Sequence, residues 1–183
     1  MNLSNHFLIA MPSLADPNFQ QTVTLICAHS NDGAMGIVVN RPLPLELSAV
    51  LEQMKLASVD EKINAQQVYE GGPVRRDRGF VVHRPPLQWD STIMVSDEIA
   101  VSTSRDILEA ISAGKGPESS LIALGYAGWE PGQLENEIAQ NAWLSCPADA
   151  SIIFALPAEQ RWRRAAERLG IAIESISRDI GHS

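Results

Sequence analysis

Val23, Leu25 and Cys27 alternate with Thr22, Thr24 and Ile26, and a second apolar run, Ile37-Val38-Val39, follows only a few residues later. Between them stands Asn31-Asp32-Gly33, a strong turn signal. An alternating run reads as a strand, and a turn this short brings the chain back beside itself. The two runs therefore pair antiparallel as a hairpin. A purely parallel sheet is excluded, because parallel neighbours need a long crossover between them.

The rest of the chain adds strands and helices to that hairpin. Leu43, Leu47, Val50, Leu51 and Met54 share a stripe at helical spacing, which predicts a helix with Pro42 and Pro44 confined to its start. Residues 80–83 and 92–95 read as strands parted by Pro85-Pro86. Thr103 with Asp106, then Ile107, Leu108 and Ile111, then Gly114 and Gly116, predict a helix over 104–113. Residues 121–126 read as a strand. Leu134, Ile138 and Ala142 mark a weaker amphipathic helix, and Ile152-Ile153-Phe154 reads as a short buried strand. A helix over 157–169 carries the stripe Trp162, Ala165, Ala166 and Leu169 and closes at Gly170. With no repeat or long linker, these elements fit one α+β domain over residues 1–183, about four helices interrupting a mainly antiparallel sheet.

Composition narrows the function. With 45% apolar residues among 183, the chain can bury a substantial core. Its formal charge of −8 opposes nonspecific attraction to polyanions, so a direct nucleic-acid or anionic-membrane footprint is not expected. The apolar run 7–11 stops at Pro12, too short for a signal-peptide core or a membrane span, and the protein is read as cytoplasmic. Two cysteines, Cys27 and Cys146, make no disulfide framework. The four histidines show no ligand spacing, so no metal and no cofactor is expected.

Nucleophile elbows, phosphate-binding loops, dinucleotide fingerprints and zinc-protease motifs are all missing from the sequence. Gly114-Lys115-Gly116 follows a predicted helix instead of opening one and reads as a helix-ending loop. Cys27 and His29 lie two apart on a strand, which would let an imidazole activate a thiol. A strand cysteine is ordinarily a buried small hydrophobe. Arg161, Arg163, Arg164 and Arg168 look self-paired with Glu159 and Glu167 on a solvated face.

Arg41 stands out, because a strand ends at Asn40 and the predicted helix starts just after it. That puts a guanidinium beside unpaired helix amides, a setting for an anion. If the other glycine clusters converge there, Asn40, Arg41, Gly71, Gly72, Arg78 and Trp129 line one ligand site. The competing reading makes the glycines mere turns and pairs Arg41 with a core carboxylate.

Several motifs in order resemble the YqgE/AlgH family of small bacterial proteins over nearly the whole chain. They are Met11-Pro12, Asp16-Pro17 with Phe19, the run 33–42, Gly71-Gly72-Pro73-Val74, Arg78-Gly79, Thr103-Ser104 with Asp106, the run 125–129, Gly132-Gln133-Leu134-Glu135, and Asn141 with Trp143. The resemblance implies a single α+β domain whose mostly antiparallel sheet is strongly bent and barrel-like. It carries no reaction and no catalytic residues, and some members are labelled regulators of alginate production. Cys27 lies outside the family pattern, which counts against a thiol mechanism.

The expectation is a non-catalytic regulatory or binding protein that acts through a small anionic ligand or a protein partner, with any effect on transcription indirect. One alternative is an enzyme acting on a small phosphorylated or carboxylated substrate, with Arg41 and Arg78 orienting it and Asp16 or Asp106 as base. The other is direct DNA binding, for which the chain offers no helix-turn-helix.

Overall fold

In a computed structural model, which describes residues 1–14 and 16–170, the first strand is β1 (His6–Ala10), followed by the hairpin of β2 (Val23–Ser30) and β3 (Gly33–Val38). Next come β4 (Pro42–Glu46), α1 (Leu47–Gln53), α2 (Glu61–Asn64), β5 (Gln67–Glu70) and β6 (Val74–Arg84). The chain continues through β7 (Thr92–Met94), β8 (Ala100–Ser102), α3 (Arg105–Ser112) and β9 (Ser119–Trp129). It ends with α4 (Gln133–Ala139), β10 (Trp143–Pro147), α5 (Ala150–Phe154) and α6 (Ala158–Glu167). The strands form one curled half-barrel sheet in the order β10-β1-β2-β3-β9-β6-β8-β7, with β5 attached to β9 and β4 to β5. All pairings are antiparallel except β5 with β9.

The two faces of this sheet carry three apolar layers. Phe7, Ile9, Leu25, Ile37, Val82 and Val101 point into the concave side, which α5 and α6 close with Ile152, Ile153, Ala165 and Ala166. On the outer side, Leu8, Ile26, Trp129 and Trp143 pack against Leu134 of α4 and Phe19. Farther along, Val81 and Ile122 pack against Leu47 and Leu51 of α1 and Ile107, Leu108 and Ile111 of α3. β1 is buried on both faces, so its apolar run is core, each such side chain contributing roughly 1.5–3 kcal/mol.

Two predicted elements are corrected. Residues 42–46 form a strand, and the helix starts only at Leu47. Pro44 pushes Leu43 out of helical geometry, and prolines two apart keep their missing amides on one side of an edge strand. Leu43 and Leu45 then face inward at strand spacing while Pro42, Pro44 and Glu46 face out. Residues 150–154 form a helix where a strand was expected. Asp149 caps it by accepting from the Ser151 amide at 2.9 Å, and a short apolar run does not by itself distinguish the two states. With α2, the described residues thus contain six helices instead of about four.

Gly71-Gly72-Pro73 carries the chain across β9. β5 lies on one side of that strand and β6 on the other, and three residues connect them. The crossing runs directly over residues 125–127. A Cβ on Gly71 would stand 2.3 Å from the Gly125 carbonyl oxygen, and one on Gly72 2.2 Å from that of Tyr126, with Gly72 also at φ +156°. Only glycine lets one backbone pass this close over another.

Candidate functional site

Directly after the crossing, β6 leaves the ladder. Val74 sits opposite Tyr126 and Gly79 opposite Leu124, so four residues oppose the single Gly125. Arg75-Arg76-Asp77-Arg78 bulge outward, starting from a left-handed turn at Arg75 (φ 50°). Bulges of this kind aim side chains away from a sheet and recur beside functional sites. Arg75 reaches Asp77 at 3.4 Å, while Arg76 reaches Glu70 at 3.2 Å and the Asn18 side-chain oxygen at 3.3 Å. Arg78 differs: among the described residues its guanidinium has no carboxylate partner. It donates to Thr103 Oγ1 at 3.4 Å and lies 5.8 Å from the centre of the Phe80 ring. Thr103 in turn donates to Ser91 Oγ at 2.9 Å.

Arg78 and Thr103 stand on the wall shared by two hollows. One, of about 660 Å³, opens at the mouth of the half-barrel and is lined by Met35, Val74, Phe80, Ile93, Tyr126 and Trp129, with Ser91 and Glu130. The other, of about 450 Å³, lies between α1 and α3 over β6 and β9. It is lined by Val50, Met54, Leu108, Ile122 and Leu124, with Arg76, Arg105 and Asp77 at its rim. The arrangement suits an anion at the shared wall with an apolar body beside it.

The six residues proposed from sequence do not meet as one recess. Arg78 and Trp129 share the mouth hollow. Arg41 is near Gly71 along the backbone, since its carbonyl accepts from the Glu70 amide at 2.8 Å. Its guanidinium, however, donates to the carbonyls of Asn18 at 2.8 Å and Gln20 at 3.0 Å, and the helix it was to cap begins six residues later. Asn40 is likewise consumed, accepting from the Val23 amide and donating to the Gln21 carbonyl, both at 2.9 Å. Gly71 donates to Leu124 and accepts from Val38, and Gly72 makes the crossing. Asn40 and Arg41 thus anchor loop 16–21, while Gly71 and Gly72 build the crossing over β9. The same loop sends Phe19 against Trp129 and Trp143, whose indoles both donate to Glu137.

Cys27 is buried, in keeping with its reading as a small hydrophobe. A bulge between Ile26 and Ala28 turns Cys27 into the concave core, and burial pushes its thiol up to about 12. His29 spends both ring nitrogens elsewhere: Nδ1 accepts from the Leu3 amide at 2.9 Å, so Nε2 carries the proton and donates to Glu135. Arg161 is buried instead of lying on a solvated face. It donates to the Val39 and Leu156 carbonyls and lies 5.1 Å from the Tyr69 ring centre. Arg164 pairs with Glu167 at 3.5 Å, and Arg168 donates to the Pro147 carbonyl. No free arginine face for phosphates results from these three.

Neither candidate base is poised for proton abstraction. Asp16 Oδ1 accepts from the Asn18 amide inside its own turn. Desolvation pulls Asp106 upward, but hydrogen bonds from Ser104 Oγ at 2.5 Å and the Asp90 and Ile107 amides outweigh it and hold the carboxyl below its usual range. Among the described residues no group of three or more His, Cys, Asp and Glu side chains is placed to hold a metal. No described helix is long and apolar enough to cross a membrane.

A family model described as AlgH-like matches residues 7–174. The chain belongs to the AlgH-like family. It is 52% identical over 179 residues to a UPF0301 protein of Nitrosococcus oceani, covering 98% of this chain and 96% of the relative. A UPF0301 protein of Pseudomonas aeruginosa is 54% identical over 182 residues, covering 99% and 96%. The solution structure of AlgH from Pseudomonas aeruginosa superimposes with a TM-score of 0.83 at 54% identity, over 97% of this chain and 94% of that one. A crystal structure of a Corynebacterium diphtheriae protein shares the fold, with a TM-score of 0.71 at 21% identity over 91% and 86% of the two chains.

The sequence missed Thr103 at the shared wall, Ser91 in the mouth hollow and Gly79 on the floor of the cleft between α1 and α3. A signal was present: a strand pattern interrupted by Arg75-Arg76-Asp77-Arg78 marks a segment expelled from the sheet.

Proposed function

We propose that this protein is a non-catalytic binding protein for a small organic anion, recognised by Arg78 with Thr103 and Ser91, and that any effect on transcription is indirect. One observation carries the reading: Arg78 is an exposed guanidinium without a carboxylate partner among the described residues, set between two apolar hollows. Planar guanidinium beside hydroxyl groups matches carboxylate and phosphate geometry. The bonded state of Asp16 and Asp106 supports binding over catalysis.

A thermal-shift panel of small carboxylates and organic phosphates tests it. A ligand of the native state raises the melting temperature by mass action. Arg78→Ala is expected to abolish that shift, whereas Arg41→Ala lowers the starting melting temperature and leaves the shift intact. No shift across the panel, or a shift that survives Arg78→Ala, refutes the reading.

A further inference from the structure

Along β6, Phe80 and Val82 point into the concave core, while Val81 points toward α1 and α3. Gly79 is two residues from Val81 and so faces the same way, into a layer otherwise filled by Val, Leu, Ile and Met. It brings no side chain there, and a Cβ built on it meets nothing within 4 Å. Interiors ordinarily pack to the density of organic crystals. Here the layer leaves a cleft of about 450 Å³, within the roughly 300–1,000 Å³ typical of small-molecule sites.

The lining says what the cleft would accept. Its walls are mainly apolar, Val50 and Met54 on one side, Leu108 on the other and Ile122 and Leu124 beneath, with Gln53 and Ser104 as the neutral polar side chains beside Thr103. Its rim sets Arg76, Arg78 and Arg105 against the single carboxylate of Asp77. Arg76 is engaged by Glu70 and Arg105 by Glu109, at 3.2 and 2.9 Å, which leaves Arg78 as the rim guanidinium without a carboxylate partner among the described residues.

We infer that this cleft takes an anionic amphiphile: a carboxylate at Arg78 and Thr103, and an unbranched apolar chain lying between α1 and α3 over Gly79. The inference rests on Arg78 as the anion contact and adds the body of the ligand. A head-only anion gains the guanidinium alone. An acyl chain also covers apolar wall, with favourable transfer of about 25 cal/mol per Å² removed from water.

Decanoate below its micellar concentration is the probe, titrated by calorimetry, with 1-decanol as the neutral counterpart and acetate as the head alone, the latter followed by the Thr103 amide shift in NMR spectra. Saturable decanoate binding is expected, at least tenfold weaker for decanol and for Arg78→Ala. Gly79→Leu fills the cleft and is expected to weaken decanoate at least tenfold while leaving the acetate response unchanged. Nuclear Overhauser contacts from the decanoate chain to the Leu108, Ile122 and Met54 methyls of the unmodified protein give a readout independent of whether the variant folds.

Absence of those contacts, absence of decanoate binding, or wild-type decanoate affinity in folded Gly79→Leu overturns the inference. If acetate still depends on Arg78 in those cases, the anion reading survives on its own. Acetate and decanoate responses both indifferent to Arg78→Ala overturn both.

Discussion

Arg161 offers a quantitative test of the packing between α6 and the sheet. It is 6% exposed and donates through its guanidinium to the carbonyls of Val39 at the end of the hairpin and Leu156 before α6. Hydrogen bonds to a charged group contribute roughly 1.5–3 kcal/mol each. The contact with the Tyr69 ring at 5.1 Å adds about 0.5–2 kcal/mol. Deletion also removes a buried ion whose own desolvation costs several kcal/mol, so the net loss for Arg161→Ala is expected at about 2–4 kcal/mol, below the plain sum. Arg161→Lys keeps the charge but not the fork and is expected to lose about half as much. Urea unfolding followed by circular dichroism reads this as a shift in midpoint at unchanged slope. The control is Arg164→Ala, whose partly exposed pair with Glu167 is worth at most about 0.5 kcal/mol. A loss for Arg161→Ala below about 1 kcal/mol, close to that of the control, would show that the side chain is not the tie between hairpin and helix that its contacts describe.

Two further outcomes follow from buried geometry. His83 donates from Nδ1 to the Pro85 carbonyl at 3.1 Å and accepts at Nε2 from Ser102 at 2.8 Å. Burial holds its pKa below the ordinary 6.5. Between those values the unfolded chain binds more protons than the folded one, so stability present above pH 6.5 is lost as pH falls below it; His83→Gln, compared by urea midpoints at pH 7.5 and 5.5, should show a smaller loss than the parent. Gly72→Ala is expected to cost about 3 kcal/mol or more, because its Cβ would lie 2.2 Å from a backbone oxygen that cannot swing aside. Gly114→Ala, with open space around it, should cost only about 1 kcal/mol in melting experiments; equal losses would refute the crossing as the reason for glycine.

The parts legible in the sequence were those written in local periodicity: the β2–β3 hairpin, α3, α4, α6 and the strands within β6 and β9. Residues 42–46 were misread because Leu43 and Leu45 fit a helical stripe as well as a strand face until the two prolines are given their steric weight. The end of the chain beyond residue 170, including Ile171, was assigned to no element and lies outside the described residues. Arg78 and Trp129, both singled out beside glycine-rich turns, line the same hollow at the mouth of the half-barrel. Arg41 was misplaced because its partners, the Asn18 and Gln20 carbonyls, are backbone atoms with no signature in residue identity. The cleft over Gly79 depends on two helices and a sheet meeting, and no window of sequence contains all three.

The three-residue bridge over β9 also constrains how the molecule comes together. β5 and β6 are joined by only three residues, yet the strand that belongs between them, β9, comes later in the chain than both. Neither strand completes its pairing until 119–129 lies beneath the bridge, so this part of the sheet rests on contacts between segments far apart in the chain, the kind of contact that slows folding. Until then the slot exposes two unpaired strand margins, the surface on which a neighbouring unfinished chain would dock.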